Sequence, residues 1–199
     1  MERDLDDLAL LALIATGDQE ALRQLYARYR LRLYGYLWLQ LDRNANWTEE
    51  VEQDVFLSIW NSAHTYRGEA RVASWIFRIA HHQAAMARRQ RNRRAEGYLA
   101  EGMSEREGDT CEEHVLSVAS HEDEVLNRLM LYEAFDQLSP SHLLVLDLVF
   151  RQGFSHMEVS HILAIPVGTV KSRVAYARRA LLSFLVEQDR AEKGIGHDT

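Results

Sequence analysis

One cysteine, two prolines and ten glycines are all that this 199-residue chain carries of the residues that cross-link, break or loosen a backbone. Cys111 by itself excludes an internal disulfide framework and a multi-thiolate zinc site, which suits a reducing compartment. No run of eighteen or more apolar residues occurs, and the N-terminus, Met1-Glu2-Arg3-Asp4, does not read as a secretory leader. Neither membrane insertion nor export is expected; a cytoplasmic location is. Catalytic signatures are missing as well. There is no glycine-rich phosphate loop, no nucleophile elbow and no paired metal-binding histidines, and the lone cysteine has no obvious partnered base, so an enzyme is not expected. The nine histidines are scattered, and Cys111-x-x-His114 supplies two donors where a structural zinc site uses four. Neither metal nor cofactor is expected.

What is present is helix-forming and charged. Hydrophobic residues make up 47% of the chain, which excludes disorder throughout, and most periodic segments have helical spacing, so the fold class is all-α. Leu143 to Phe150 could pass for a buried strand, but its Ser-Pro start and Gly153 stop favour a helix. The formal net charge of -7 is strongly segregated. Residues 95–124 hold ten acids against Arg106 alone, a net of -9, whereas residues 65–94 carry eight arginines and one glutamate, a net of +7. The acidic stretch also holds Gly97, Gly102, Gly108 and several serines without a sustained apolar face, so it reads as a flexible linker, 95–121, between modules spanning 8–94 and 122–190.

In the first module Asp18 is placed to cap a helix with Ala21, Leu22, Leu25, Tyr26, Tyr29, Leu33, Tyr36 and Leu37 on its apolar face. Thr48 is the expected cap of the next, with Glu49 and Glu50 in its first turn, Val51, Val55, Phe56, Ile59 and Trp60 inward, and Glu52, Gln53 and Asp54 outward. A third helix should begin near Ser74 and run through Trp75, Ile76, Ile79 and Ala80 into Arg88-Arg89-Gln90-Arg91-Asn92-Arg93-Arg94. Tyr66, Trp75 and Phe77 offer aromatic surface beside those arginines, although Trp75 shares a face with Ile79.

The second module has helix-turn-helix order. Ser139-Pro140 opens a helix that stops at Gly153, and Ser155 with Glu158 forms a capping-box pattern before a short helix carrying Met157, Ile162 and Leu163. Pro166 and Gly168 sit where the turn must be sharp. Val170, Val174, Ala177, Leu181 and Leu185 then form a buried stripe, which turns Ser172, Tyr176 and Arg179 outward and leaves Lys171, Arg173 and Arg178 flanking it.

Taken together, the chain resembles the extracytoplasmic-function (ECF) class of bacterial RNA polymerase sigma factors over residues 8–186. The resemblance is carried by Gly17-Asp18-Gln19-Glu20-Ala21 with Leu25-Tyr26 and Tyr29, by Glu49 through Trp60, by Trp75-Ile76-Phe77-Arg78-Ile79-Ala80 with the trailing arginines, and by Val167-Gly168-Thr169-Val170-Lys171-Ser172-Arg173. It implies a protein that binds core RNA polymerase, on the coiled coil of the largest subunit and on the flap, and directs it to promoter DNA. Glu52, Gln53 and Asp54 would dock on polymerase. Tyr66, Arg67, Arg78, His82, Arg88, Arg89 and Arg91 would hold and help melt the minus-ten element. Thr169, Lys171, Ser172, Arg173, Tyr176 and Arg179 would bind the minus-thirty-five element, with Ser172 and Tyr176 at base edges. The acidic linker would thread the polymerase channel, and an anti-sigma factor would hold the protein inactive.

Three departures from the family pattern stand out. His81-His82 replaces a basic residue followed by Asn, which implies an altered minus-ten preference. Ala175-Tyr176 replaces a pair that is frequently aromatic or basic. Pro140-Ser141-His142-Leu143-Leu144 lacks the usual Pro-x-x-x-Arg opening. The rival reading is a conventional helix-turn-helix regulator whose first module senses a ligand; such a protein has no reason to make residues 65–94 both aromatic and arginine-rich.

Overall fold

The computed structural model describes the backbone of residues 5–100 and 138–194, with side chains described over 5–94 and 138–186. Among the described residues the secondary structure is entirely helical, as the apolar spacing requires. Most of the linker, with Cys111 and His114, lies outside them. Two compact units result, one of residues 1–111 with 157–164, the other of 112–156 with 165–199.

The first unit opens with α1 (Asp7–Ala15), which has no counterpart in the sequence reading. Its apolar residues run continuously and mark no single face, yet Leu10, Leu11 and Ile14 are buried. Asp6 caps it, accepting from the Ala9 amide at 2.7 Å. Asp7 then ties α1 to α2 (Gln19–Trp38) by accepting from Arg28 and from the Tyr29 hydroxyl. Asp18 caps α2 as expected, accepting from the Glu20 and Ala21 amides. Ala21, Leu25, Tyr29, Leu33, Tyr36 and Leu37 are buried, while Tyr26 lies at the rim with its ring edge-on to Phe56, centroids 4.7 Å apart.

Helix α3 (Ala45–Ser62) starts a turn earlier than its sequence suggests. Asp42 and Arg43 take left-handed backbone (φ 54° and 56°), and Asn44, not Thr48, is the cap, accepting from the Trp47 amide at 2.8 Å. Thr48 is instead fully buried and returns its hydroxyl to the Asn44 carbonyl at 2.7 Å. The shift moves Glu49 and Glu50 out of the first turn, where the helix dipole would have favoured them. A 3-10 turn (Ala63–Thr65) and Gly68 (φ 74°) lead to α4 (Val72–Ala100). Val72, Ala73, Ser74, Ile76, Phe77, Ala80 and Ala84 form its buried side against α1, α2 and α3. Trp60 and Trp75 are only half-buried, Trp75 edge-on to Tyr66. Also in this unit, from Met157 onward, is α6 (His156–Leu163), which follows Ser155 as expected, with Val159, Ile162 and Leu163 buried and Met157 exposed. Its Glu158 accepts from the Ser74 hydroxyl at 3.0 Å and pairs with Arg71.

In the second unit Ser139 precedes α5 (Pro140–Leu146), with Pro140 at the first helical position, where its missing N–H costs nothing. The helix widens into a π turn (Asp147–Arg151), in which Arg151 pairs with the buried Asp147, and stops at Gly153 (φ 73°). Helix α7 (Val167–Gly194) packs on α5 through Leu138, Leu143 and Leu146 against Ala177, Ala180 and Leu181. Its buried stripe is Val170, Val174 and Ala177, with Leu181 half-buried; Leu185, expected to continue it, is 40% exposed. The turn before α7 also differs from expectation. Its left-handed residue is Ala164 (φ 53°), whereas Gly168 is the second residue of the helix and has ordinary helical backbone.

Candidate functional site

Two surfaces concentrate the sequence-derived candidates, one on each unit. On the first, Arg78, His82 and Arg89 recur at steps of four and seven along α4, so they share a face, and all three are exposed. Arg93 continues that face, and Arg71, ion-paired with Glu158, lies seven residues before Arg78. Neither arginine is among the minus-ten candidates read from the sequence, although the same spacing marks them. His82, Met86, Arg89, Gln90 and Arg93 line a hollow of about 560 Å³. Arg89 and Arg93 direct their guanidinium Nε toward the Ala85 and Arg89 carbonyls, holding the charges along the helix. Arg67 and Arg88 are exposed, and Tyr66 is half-buried with its hydroxyl on the Ala70 carbonyl.

The two adjacent histidines divide their labour. His81 turns inward, its Nδ1 within 3.2 Å of the Tyr36 hydroxyl and 3.1 Å of Gln40 Oε1. Burial first, then the charges of His82 and Arg88, lower its pKa, so its neutral form is favoured. His82 is the member of the pair exposed on the arginine face.

Arg91 does not share that face. Its guanidinium lies 4.6 Å from the Trp47 ring centroid, a cation–π contact across α3 and α4. Trp47, Glu50, Asp54, Gln83, Arg91 and Arg94 are among the residues lining a groove of about 510 Å³ there. Phe77, expected as aromatic surface, is fully buried, edge-on to Tyr36 at 5.1 Å.

The acidic triplet of α3 is also divided. Gln53 and Asp54 are exposed, but Glu52 is 7% exposed, which corrects its expected outward position. The physical cause is its position one residue after Val51 and three before Val55, on the flank that α2 covers. Its Oε1 has no hydrogen-bond partner among the described residues, and burial raises its pKa, with Arg30 opposing and Glu49 reinforcing the shift.

On the second unit, α7 turns Lys171, Ser172, Tyr176 and Arg179 to solvent, while Thr169 and Arg173 are half-buried at the edge of the same surface. The helix twist and the buried Val170, Val174 and Ala177 account for that arrangement. The Ser172 hydroxyl donates to the Thr169 carbonyl at 3.0 Å, leaving its lone pairs outward. Tyr176 is 52% exposed and stacks on His142 of α5, a partner not foreseen from sequence. Arg178 is also exposed.

The described residues thus present an arginine-lined helix in one unit and, in the other, a long helix with a polar face. Comparison with known families gives that arrangement its meaning. Residues 25–94 match the Sigma-70 region 2 family and residues 134–181 the Sigma-70, region 4 family. The ECF RNA polymerase sigma-E factor of Haemophilus influenzae is 31% identical over 189 residues, covering 91% of this chain and 96% of the relative. The ECF RNA polymerase sigma factor SigK of Mycobacterium ulcerans is 30% identical over 185 residues, covering 90% and 94%. Among solved structures, CnrH in complex with the cytosolic domain of CnrY aligns with a TM-score of 0.61 at 20% identity, over 91% of this chain and 97% of that one. RpoE in complex with the anti-sigma factor NepR, from Bartonella quintana, aligns at 0.63 and 21%, over 82% and 95%. The chain belongs to the ECF class of RNA polymerase sigma factors. Its role is accordingly promoter-specific transcription initiation, a regulatory rather than a catalytic one. Among the described residues no helix is long and apolar enough to cross a membrane.

Proposed function

We propose that the protein binds core RNA polymerase in the cytoplasm and brings it to promoters with separate minus-ten and minus-thirty-five elements, opening the first and anchoring on the second. The observation that carries this reading is the exposed, aligned set Arg78, His82, Arg89 and Arg93, one face of α4 in a chain whose overall charge is negative. Arginines in register along a helix neutralise successive phosphates and release counterions, so each lost contact lowers the log–log salt slope by about 0.9. His82 stands beside them as the group offered to an unpaired base, able to donate and accept.

Polymerase docking falls to Gln53 and Asp54, exposed on α3. Glu52 is left out of the dock, since a buried carboxylate is not presented to a partner. The minus-thirty-five element is read by α7, with Ser172 and Tyr176 at base edges and Lys171, Arg173, Arg179 and Thr169 on phosphates, because base contacts carry sequence and phosphate contacts set register. The functional domains in this reading are 8–94 and 122–190 with a linker 95–121, a division supported by family matches that fall inside it, at 25–94 and 134–181. Regulation by an anti-sigma factor is part of the same proposal, supported by the shared fold with RpoE, which was solved with the anti-sigma factor NepR.

The test is run-off transcription from a promoter-fragment library with purified core polymerase, with and without the protein. Specific start sites that appear only on its addition support the reading. No start sites, with tight binding of duplex by the protein alone, would replace it with a free-standing regulator. Within the same assay, Asp54→Arg is expected to weaken core binding at least tenfold by reversing the charge at the dock.

A further inference from the structure

The exposed part of α7 is held from the side by a residue that no sequence pattern marks. His142 of α5 stacks on Tyr176 with ring centroids 4.5 Å apart and planes 24° from parallel. The imidazole is itself held, because Ser139 Oγ lies 2.8 Å from its Nδ1 and 3.0 Å from the Ser141 hydroxyl. Ser139 occupies the capping position of α5, so its own place is set by the start of that helix. The next residue of α7 after Tyr176 is the fully buried Ala177, packed with Leu138 and Leu146. Tyr176 therefore projects beside the packed contact of α5 with α7, with one ring face covered and about half its surface open to solvent.

We propose that His142 is a positioning residue: it fixes the Tyr176 ring so that its hydroxyl is presented to one base pair of the upstream promoter element. This rests on the reading of α7 as the minus-thirty-five helix. The physical argument is pre-organisation. An exposed tyrosine loses rotamer freedom when it engages a base, and that loss lowers the discrimination its hydroxyl can supply; a ring already held by a stack has less freedom left to lose. An aromatic pair of this geometry is worth enough to change a preference by roughly 3- to 10-fold. Ser139 extends the arrangement by limiting rotation of the imidazole, giving a chain of three side chains that runs from a helix cap to the reading surface.

The experiment uses holoenzyme assembled from core polymerase and the full chain, on a promoter library randomised across the upstream element. Tyr176→Ala first identifies the base position that the tyrosine reads. His142→Ala is expected to relax the preference at that same position by roughly 3- to 10-fold, with the other positions and the salt slope unchanged. His142→Phe, which keeps a stacking ring, should retain the preference, and the double variant should match Tyr176→Ala. The proposal is overturned by an unchanged profile for His142→Ala, by a uniform loss at every position, or by a His142→Phe profile equal to that of His142→Ala. If Tyr176→Ala itself moves no position, the reading of this helix face fails, and the proposal with it. Thermal midpoints for each variant separate lost positioning from lost folding; His142→Phe supplies the comparison if His142→Ala is unstable.

Discussion

Glu52 occupies a place in α3 from which water is largely excluded, and one of its oxygens finds no donor among the described residues. A buried acceptor left unmade costs about 1–3 kcal/mol, so Glu52→Leu is expected to raise stability at neutral pH by about 1 kcal/mol after the lost attraction to Arg30 is set against it. The sign with pH follows from the raised pKa. In the unfolded chain this carboxyl titrates near 4.5, and in the fold above that, so the folded state holds the proton more tightly. Its contribution is most favourable below 4.5 and is lost as pH rises through the folded pKa. His81 slopes the other way: its folded pKa lies below 6.5, so stability is lost as pH falls from 6.5 through that lower value. Chemical denaturation of wild type, Glu52→Gln and His81→Phe across pH 4 to 8 checks both, and each variant should flatten only its own limb. Glu52 was placed outward by spacing alone. The reason for the error is physical: the positions beside Val51 and Val55 are decided by how far α2 wraps around α3.

Helix ends and helix faces fared differently. Asp18 and Ser139-Pro140 were legible because a cap is a local arrangement of a few consecutive residues. Asn44 was missed because the left-handed Asp42-Arg43 pair before it carries no glycine to announce the turn. Ala164 is the parallel case in the second module. A residue with a Cβ in left-handed backbone costs about 1 kcal/mol relative to glycine, so Ala164→Gly is expected to raise stability by about that amount, with an unchanged denaturant slope. Along α4, the spacing of the arginines predicts one cationic face, and tertiary contact then removes Arg91 to Trp47. Arg91→Ala should therefore lower thermal stability, by about 0.5–1 kcal/mol, and leave the salt dependence of DNA binding nearly unchanged. Arg89→Ala should do the reverse, lowering the log–log slope by about 0.9. Fluorescence titration at several salt concentrations separates the two. The helix α1 was illegible for a different reason: an apolar run without gaps has no preferred face until neighbours supply one.

At the scale of the whole molecule, charge is distributed so that a chain of net -7 carries a cationic helix. The ten acids of residues 95–124 oppose the eight arginines of residues 65–94 in the field a distant phosphate meets. Replacing Glu101, Glu105, Glu107, Asp109, Glu112 and Glu113 with glutamine is expected to tighten binding of the free protein to non-specific duplex several-fold at low salt, with the difference fading above about 0.2 M as screening shortens the reach of the linker. Unchanged affinity at low salt would show that the acidic stretch has no such influence. The all-helical class, the two modules, the acidic division between them and the polar face of α7 were determined by the sequence, because each depends on residue spacing or charge over a short stretch. Only the tertiary structure decided that Glu52 and Phe77 are buried, that Leu185 is not, that Arg91 covers Trp47, and that His142 stands on Tyr176. Those outcomes depend on which side chains of a second helix arrive against the first, and no local period encodes that.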